Sequence, residues 1–215
     1  MTSIGQGEFE DDRRSAPKHR AILEAAAEVF LNNGYLGTSM DEIAALARVS
    51  KQTVYKHFAD KEQLFVEIVT NTVNEISDPV HEDVLNLADS GDIEADLRDL
   101  AHRLLAGVLQ PRLTQLRRLV IGEASRFPEL GRTFYERGPG RTIATLATAF
   151  ERLAARDVLR LEDPELAANH FNWLIMSAPL NQAMLLGTDT PPAPADLNRI
   201  AESAVRVFLA AYLRN

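Results

Sequence analysis

Apolar positions along the chain recur at intervals of three and four residues, the spacing that places side chains on one face of an α-helix. The first such stripe consists of Ile22, Ala26, Val29 and Phe30, and it ends near Gly34. No stretch shows the period-two alternation of a half-buried β-strand. The pattern therefore predicts an all-α fold.

Two short helices separated by a three-residue turn are predicted between residues 38 and 58. Ser39 and Glu42 have the S-x-x-E spacing of a capping box, and Ser50 is a good N-cap for a helix over residues 51–58. Helices joined this tightly cross steeply, so the second one projects outward. This is the arrangement of a helix-turn-helix, with residues 51–58 as the projecting helix.

The rest of the chain also reads as helices separated by proline- and glycine-containing breaks. A helix capped by Asp60 is expected to end near Ser77, because Pro79 follows. Breaks are also predicted at residues 138–140 and in the loop 187–194. The remaining predicted helices cover residues 93–108, 113–127, 143–153, 164–186 and 196–213.

The last two helices are apolar on more than one side, whereas a surface helix needs only one apolar face. The second face needs a partner, most simply the same helices of a second copy across a two-fold axis. The alternative is that each helix is buried in the centre of its own domain. The predicted dimer-interface residues are Trp173, Met176, Leu180, Met184, Leu197, Ala201, Val205, Phe208 and Tyr212.

These patterns divide the chain into three parts. Residues 1–15 are short of apolar side chains and are predicted to be a disordered tail. Residues 16–62 form a three-helix helix-turn-helix domain, predicted to bind DNA. Residues 63–215 form a larger helical domain, predicted to dimerise.

Charge is distributed unevenly along the chain. The net charge is −8, but residues 13–61 carry eight basic and five acidic side chains. An acidic body with one basic region favours a single docking orientation on DNA. There are no cysteines, the N-terminus is polar and acidic rather than a signal peptide, and no apolar run is long enough to span a membrane. We expect a cytoplasmic protein with no membrane partner.

The projecting helix carries side chains suited to DNA. Lys51 and Gln52 can reach base edges, lysine to guanine and glutamine to adenine. Ser50 and the free N–H groups of the first turn favour a phosphate, and Tyr55, His57 and Lys61 can donate to phosphates further along. The alternative is a solvated helix face, but the tight turn, the caps and the local positive charge together favour a double-stranded DNA operator as the partner.

Residues 17–67 resemble the DNA-binding domain of TetR/AcrR-type bacterial transcription regulators. The resemblance implies that Lys51, Gln52 and Thr53 face bases and that Thr38, Tyr55, His57 and Lys61 contact the DNA backbone. Arg48 departs from the family pattern, which often has glycine in this turn, and Gln52 departs where small residues are common. The matching residues are Phe30, Gly34-Tyr35, Thr38-Ser39, Ile43-Ala44, Val49-Ser50-Lys51, Thr53 to Phe58 and Asp60-Lys61-Glu62, with a further resemblance to one subgroup over residues 118–130.

No catalytic motif or metal-ligand spacing occurs in the sequence, so we predict a protein that is not an enzyme and needs no cofactor. The family resemblance implies a small-molecule effector in the second domain, and the apolar interior favours a hydrophobic one. Four pocket-wall candidates are Phe134, Phe150, Phe171 and Ile175, for each of which ordinary core packing is the competing interpretation.

The sequence therefore predicts a homodimeric DNA-binding regulator, specifically a repressor that a ligand releases from a near-palindromic operator. A transcriptional activator and a ligand-independent regulator remain open alternatives within the same class. A helical small-molecule enzyme or carrier with an incidental basic helix is the alternative from a different class.

Overall fold

The computed structural model describes the backbone of residues 6–187 and 190–214, and the side chains within those ranges from residue 16 onward. The predicted all-α fold is confirmed. Only an isolated bridge between Leu159 and Leu213 adds β-type pairing in this described part. The helices are α1 (Gln6–Gly37), α2 (Met40–Leu46), α3 (Lys51–His57), α4 (Lys61–Leu87), α5 (Ile93–Val108), α6 (Pro111–Glu123), α7 (Pro128–Tyr135), a π-type turn (Glu136–Gly140), α8 (Arg141–Ala155), α9 (Pro164–Leu186) and α10 (Pro194–Tyr212).

Helix α1 begins well before its apolar stripe. Residues 6–15, predicted to be disordered, have helical backbone, while residues 1–5 lie outside the described part of the chain. Pro17 consequently lies inside the helix rather than in its first turn. Once a turn exists, each added residue contributes a backbone hydrogen bond. A prediction based on the apolar stripe that starts at Ile22 does not detect helical residues that precede the stripe.

Helix α4 continues ten residues beyond the predicted end. Pro79 lies inside it, and Val80, Val84 and Leu87 beyond the proline are buried. A proline inside a helix costs about 3 kcal/mol, since a backbone hydrogen bond is lost and the ring crowds the preceding turn. Burial of three large apolar side chains at about 1.5–3 kcal/mol each offsets this cost. The break predicted at Pro79 is therefore wrong.

The single helix predicted over residues 113–127 is two helices. Helix α6 ends at Glu123, and the N–H groups of Arg126 and Phe127 both bond to the Glu123 carbonyl in a turn. Helix α7 starts at Pro128, which favours a first helical turn because it needs no N–H partner. The break predicted at residues 138–140 is present as the π-type turn, in which Gly138 leaves helical backbone geometry.

Two apolar cores hold the helices together. One joins α1, α2 and α3 to α4, α6 and α7, with Phe30, Phe58 and Phe65 fully buried in it. The helix-turn-helix core therefore does not stop at the predicted boundary after residue 62. The second core lies among α4, α5, α8, α9 and α10. None of the described helices is long and apolar enough to cross a membrane.

The predicted dimer face of α9 and α10 is mostly buried within the chain itself. Phe208 is fully buried against Phe150 and Phe171, with ring centroids 5.0 and 5.1 Å away. Met176, Leu180, Leu197, Ala201 and Val205 are also buried, and Met184 and Tyr212 are partly buried. Of the nine candidates only Trp173 is exposed. The neighbouring stripe, which includes Leu174, Leu185 and Val207, carries the exposed apolar side chains instead.

Candidate DNA-binding surface and effector cavity

The two short helices begin at the predicted caps. Ser39 Oγ accepts a hydrogen bond from the Glu42 N–H at 3.2 Å, and Ser50 Oγ accepts one from the Thr53 N–H at 3.1 Å. The Glu42 carboxylate does not complete a capping box, because it accepts from the side-chain amide of Asn33 at 2.9 and 3.0 Å. The Ser50 and Thr53 hydroxyls are also bonded to each other at 2.8 Å. These local bonds set where the projecting helix starts.

Arg48 turns the chain between α2 and α3 with a φ of 55°. This is the left-handed region, which costs a non-glycine residue about 1–2 kcal/mol. The N–H of Val49 bonds back to the Ala44 carbonyl at 3.1 Å and closes the end of α2. The tight turn expected from the sequence is therefore present, and Arg48 adopts the backbone conformation for which glycine is best suited.

Helix α3 has one anchored face and one open face. Val54 on the helix and Phe58 directly after it are fully buried in the apolar core that joins α1, α2 and α3 to α4, α6 and α7, called the head core below. Lys51, Gln52 and Tyr55 lie on the exposed face, with Tyr55 46% exposed. Anchoring one side by large apolar side chains holds the other side in a fixed orientation toward solvent.

Lys51 already has an acidic neighbour on the preceding helix. Its Nζ lies 2.7 Å from Asp41 Oδ1, with both side chains largely exposed. The hydrogen bond and the charge of Asp41 raise the pKa of Lys51. A base contact by Lys51 would require this exposed pair to open, which costs little because solvent screens it.

Thr38 and Lys61 differ from the other predicted DNA contacts, because both make contacts inside the protein. The buried Thr38 hydroxyl donates to the Gly34 carbonyl at 2.7 Å. The Lys61 ammonium donates to the carbonyls of Tyr35 at 2.8 Å and Thr38 at 3.0 Å, and it lies 4.5 Å from the centre of the Tyr35 ring. These contacts tie the start of α4 to the link between α1 and α2.

His57 lies at the end of α3 beside His19 of α1, with ring centroids 5.4 Å apart. Partial burial, followed by charge interactions with His19, Lys56 and Lys18, lowers the pKa of His57. The lowered pKa favours the neutral imidazole in the DNA-free protein. His19 bonds to Glu67 of α4 at 2.6 Å and stacks on Phe58.

A cavity lies among helices α4 to α9, and the empty space in it and at its solvent-open mouth amounts to about 590 Å³. Of the four predicted wall residues only Phe134 lines it. Phe150, Phe171 and Ile175 are fully buried core residues. The cavity lining consists of Val73, Ile76, Ser77, Val80, Leu104, Val108, Leu113, Arg117, Phe134, Gly138, Pro139, Thr142, Asn172, Trp173, Met176 and Leu180.

Helix α9 places three predicted dimer residues, Trp173, Met176 and Leu180, in this cavity wall. Two polar wall residues, Arg117 and Asn172, were not predicted from the sequence. Arg117 follows Leu113 by four positions on the apolar stripe of α6. A charged residue at a core position of a helix was the available signal, because buried charges need a partner.

Helix α4 connects the cavity to helices α1, α2 and α3, which form the proposed DNA-binding head. Its first half contributes Leu64, Phe65 and Val69 to the head core, and residues 73–80 line the cavity. Asp60 caps the helix by accepting from the Gln63 N–H at 2.8 Å. A shift of α4 at the cavity would therefore also move the residues on which α3 packs.

Two families match the chain. The family described as "Bacterial regulatory proteins, tetR family" matches residues 22–68, and the "AefR-like transcriptional repressor, C-terminal domain" family matches residues 95–214. Together they cover the DNA-binding head and most of the body. Among the described residues no cluster of three or more His, Asp or Glu side chains is arranged to hold a metal ion.

Several solved structures are similar over nearly the whole chain. A TetR-family transcriptional regulator from Mesorhizobium loti is 42% identical, with 93% of this chain and 98% of that one covered and a TM-score of 0.86. The flavonoid-responsive regulator FrrA is 33% identical, with 91% and 97% covered and a TM-score of 0.74.

Curated relatives match over shorter segments. The HTH-type transcriptional regulator YhgD of Bacillus subtilis is 35% identical over 46% of this chain and 49% of its own length. The activator FasR of Mycolicibacterium smegmatis is 35% identical over 37% of this chain and 34% of its own length. The match thus spans half or less of the length of these curated relatives. With the family matches and the M. loti structure, the chain belongs to the TetR family of bacterial regulatory proteins.

Proposed function

We propose that the protein is a homodimeric transcriptional repressor that binds a near-palindromic operator and is released by a small molecule bound in the body cavity. The observation that carries the proposal is helix α3, which is anchored by Val54 and Phe58 and presents Lys51, Gln52 and Tyr55 to solvent. A helix held in this way can enter the major groove. Such a regulator acts in the cytoplasm, where its operator lies.

The DNA contacts divide by chemistry. Lys51, Gln52 and Thr53 at the start of α3 are proposed to read bases, while Ser50 and Tyr55 bind phosphates. His57, whose pKa is lowered in the DNA-free protein, is proposed as a further phosphate donor. The contacts of Thr38 and Lys61 inside the protein favour a supporting role, in which they hold the α1–α2 link that positions the head.

Dimerisation is proposed through the exposed stripe of α9 and α10. Leu174 and Val207 line one shallow groove between these helices, and Leu185 is 78% exposed further along α9. Large apolar side chains exposed side by side mark an interaction surface. A second copy related by two-fold symmetry would bury them and place two α3 helices on one face of the DNA.

Release by a ligand is supported by the position of α4, whose residues belong to both the cavity wall and the head core. The name of FrrA describes it as flavonoid-responsive, so this relative responds to a small molecule. A ligand that prefers one position of α4 would shift the dimer toward a head spacing that fits the operator less well. FasR is named an activator, which keeps activation as the second candidate outcome of the same DNA binding.

Selection from a random double-stranded DNA library with the full chain tests the proposal. We expect enrichment of an inverted repeat whose half-site centres lie about 10 base pairs or a multiple apart. Gln52→Ala should relax base preference at one position of each half-site. Tyr55→Phe, the control, should lower affinity without changing the motif.

Failure to enrich any motif at low salt would contradict DNA recognition. A motif that is unchanged by Gln52→Ala would contradict the assigned base contact.

A further inference from the structure

The cavity in the body contains one ionisable side chain among its described wall residues, the guanidinium of Arg117. Its Nε is fully buried and has no hydrogen-bond partner. No carboxylate in the described part of the chain lies within ion-pair distance of it. Below it, the ring of Phe134 lies 5.1 Å from the guanidinium carbon.

Other arginines in this part of the protein have polar partners. Arg118, the next residue on α6, donates to the Ala183 carbonyl at 3.0 Å. Arg156 donates to the carbonyl of Ala88, and Arg103 pairs with Asp83 at 2.7 Å. Arg117 therefore differs from its neighbours in leaving donors unused, and it does so at the wall of a cavity.

Burial leaves the guanidinium charged. Desolvation lowers the pKa of Arg117 to about 10, which still keeps the group protonated at pH 7. A guanidinium that is largely withdrawn from water without a carboxylate partner is destabilising. An anion that entered the cavity would remove that cost, and it would gain charge-assisted hydrogen bonds that water cannot match in a site of low dielectric.

A second polar side chain lies on the cavity wall. Asn172 of α9 is 4% exposed and lines the same cavity as Arg117. Val80, Leu104 and Met176 represent the remaining wall, which is largely apolar. The cavity thus offers a cation, an amide and a hydrocarbon surface, the combination of a few polar groups on an apolar wall that is typical of ligand pockets.

We propose that the effector is an amphipathic anion, a compound with an apolar body and one carboxylate, and that Arg117 binds the carboxylate while Asn172 helps to orient it. This inference rests on the proposed function for the consequence of binding, but the binding itself is independent of DNA. The guanidinium fork matches the two oxygens of a carboxylate in a planar, bidentate contact. The apolar body then occupies the space among α4, α5 and α9.

Binding can be followed without labels, because Trp173 is the only tryptophan of the chain and lines the cavity. Trp173 fluorescence of the full-length protein is titrated with decanoate, decanol and decylamine, and with cyclohexylpropanoate and cyclohexylpropanol. Each carboxylate should bind at least about tenfold more tightly than the alcohol with the same apolar body, as one charge-assisted hydrogen bond provides. Decylamine should bind most weakly.

Arg117→Met isolates the charge, since methionine keeps an unbranched apolar side chain. It should weaken carboxylate binding by roughly 10- to 100-fold and leave alcohol binding within about twofold. Arg112→Met, on the exposed side of the same helix, should leave both unchanged. The ligand-free Arg117→Met protein should melt at or above the wild-type temperature, because an unpaired buried charge is removed.

Three results would overturn the proposal: carboxylates that bind no more tightly than their alcohols, a preference that survives Arg117→Met, or no Trp173 response to either carboxylate. A lower melting temperature of ligand-free Arg117→Met with an unchanged preference would assign Arg117 a structural role instead. Alcohols that bind and release DNA would leave the proposed repressor function intact and refute only the anion. Carboxylate binding by a chain that selects no DNA would refute the proposed repressor function and leave the anionic effector intact.

Discussion

Lys61 offers a direct test of whether a predicted DNA contact instead stabilises the fold. Its ammonium donates to two carbonyls, those of Tyr35 and Thr38, and lies against the Tyr35 ring. A hydrogen bond to a charged group contributes about 1.5–3 kcal/mol, and an exposed cation–π contact about 0.5–1 kcal/mol. Allowing for the partial exposure of Lys61, Lys61→Met should lower the free energy of unfolding by about 2–4 kcal/mol, since two carbonyls lose their donor.

Urea unfolding followed by circular dichroism at pH 7 measures this loss, and DNA affinity is measured below the unfolding transition. Lys51→Met is the matched control, because its ion pair with Asp41 is exposed. It should leave the unfolding midpoint nearly unchanged and weaken binding to the selected operator. The reasoning is refuted if Lys61→Met changes unfolding by less than about 1 kcal/mol and weakens DNA binding as Lys51→Met does.

Three further predictions concern the turn, the dimer face and the core. Arg48→Gly should leave the free energy of unfolding unchanged or raise it by up to about 1 kcal/mol. Arg48→Val should lower it by more than about 1 kcal/mol, because a β-branched residue fits a φ of 55° worst. Equal urea midpoints for the two variants would contradict backbone strain at Arg48. Leu174→Glu should convert a dimer to a folded monomer in light scattering, whereas Ile121→Glu, at a position that is also exposed but lies on α6, should not. A dimeric Leu174→Glu protein would rule out the proposed face. Phe171→Ala should lower the free energy of unfolding by about 3–5 kcal/mol, and Phe134→Ala should lower it less because the Phe134 ring borders a cavity. A larger loss for Phe134→Ala than for Phe171→Ala in chemical denaturation would show that Phe134 is the core residue.

The sequence alone predicted the features whose causes lie within one helical turn. Ser39, Ser50 and Asp60 each accept a hydrogen bond from the N–H three residues ahead. A cap needs only a short polar side chain and the start of a helix, so it can be identified without knowing the rest of the fold. The tight turn between α2 and α3 was predicted in the same way, whereas the φ of 55° at Arg48 is seen only in the structure.

Tertiary packing decided the features that depend on distant residues. Pro79 lies inside α4 because side chains on both sides of it are buried by other helices. The two apolar stripes of α9 look equivalent in the sequence, yet Met176 faces the cavity and Leu174 faces solvent. Helical periodicity determines which residues share a face, but neighbouring helices determine which face is covered.

The helix-turn-helix, its caps and its exposed basic face were therefore determined locally, by residues within a few positions of one another. The cavity was not, because its wall is assembled from α4 to α9 and from side chains more than 100 positions apart. The burial of Arg117 Nε without a hydrogen-bond partner likewise depends on how these helices pack. A sequence can show a charge on an apolar stripe, but only the packed structure shows that the buried Nε of Arg117 has no hydrogen-bond partner among the described residues.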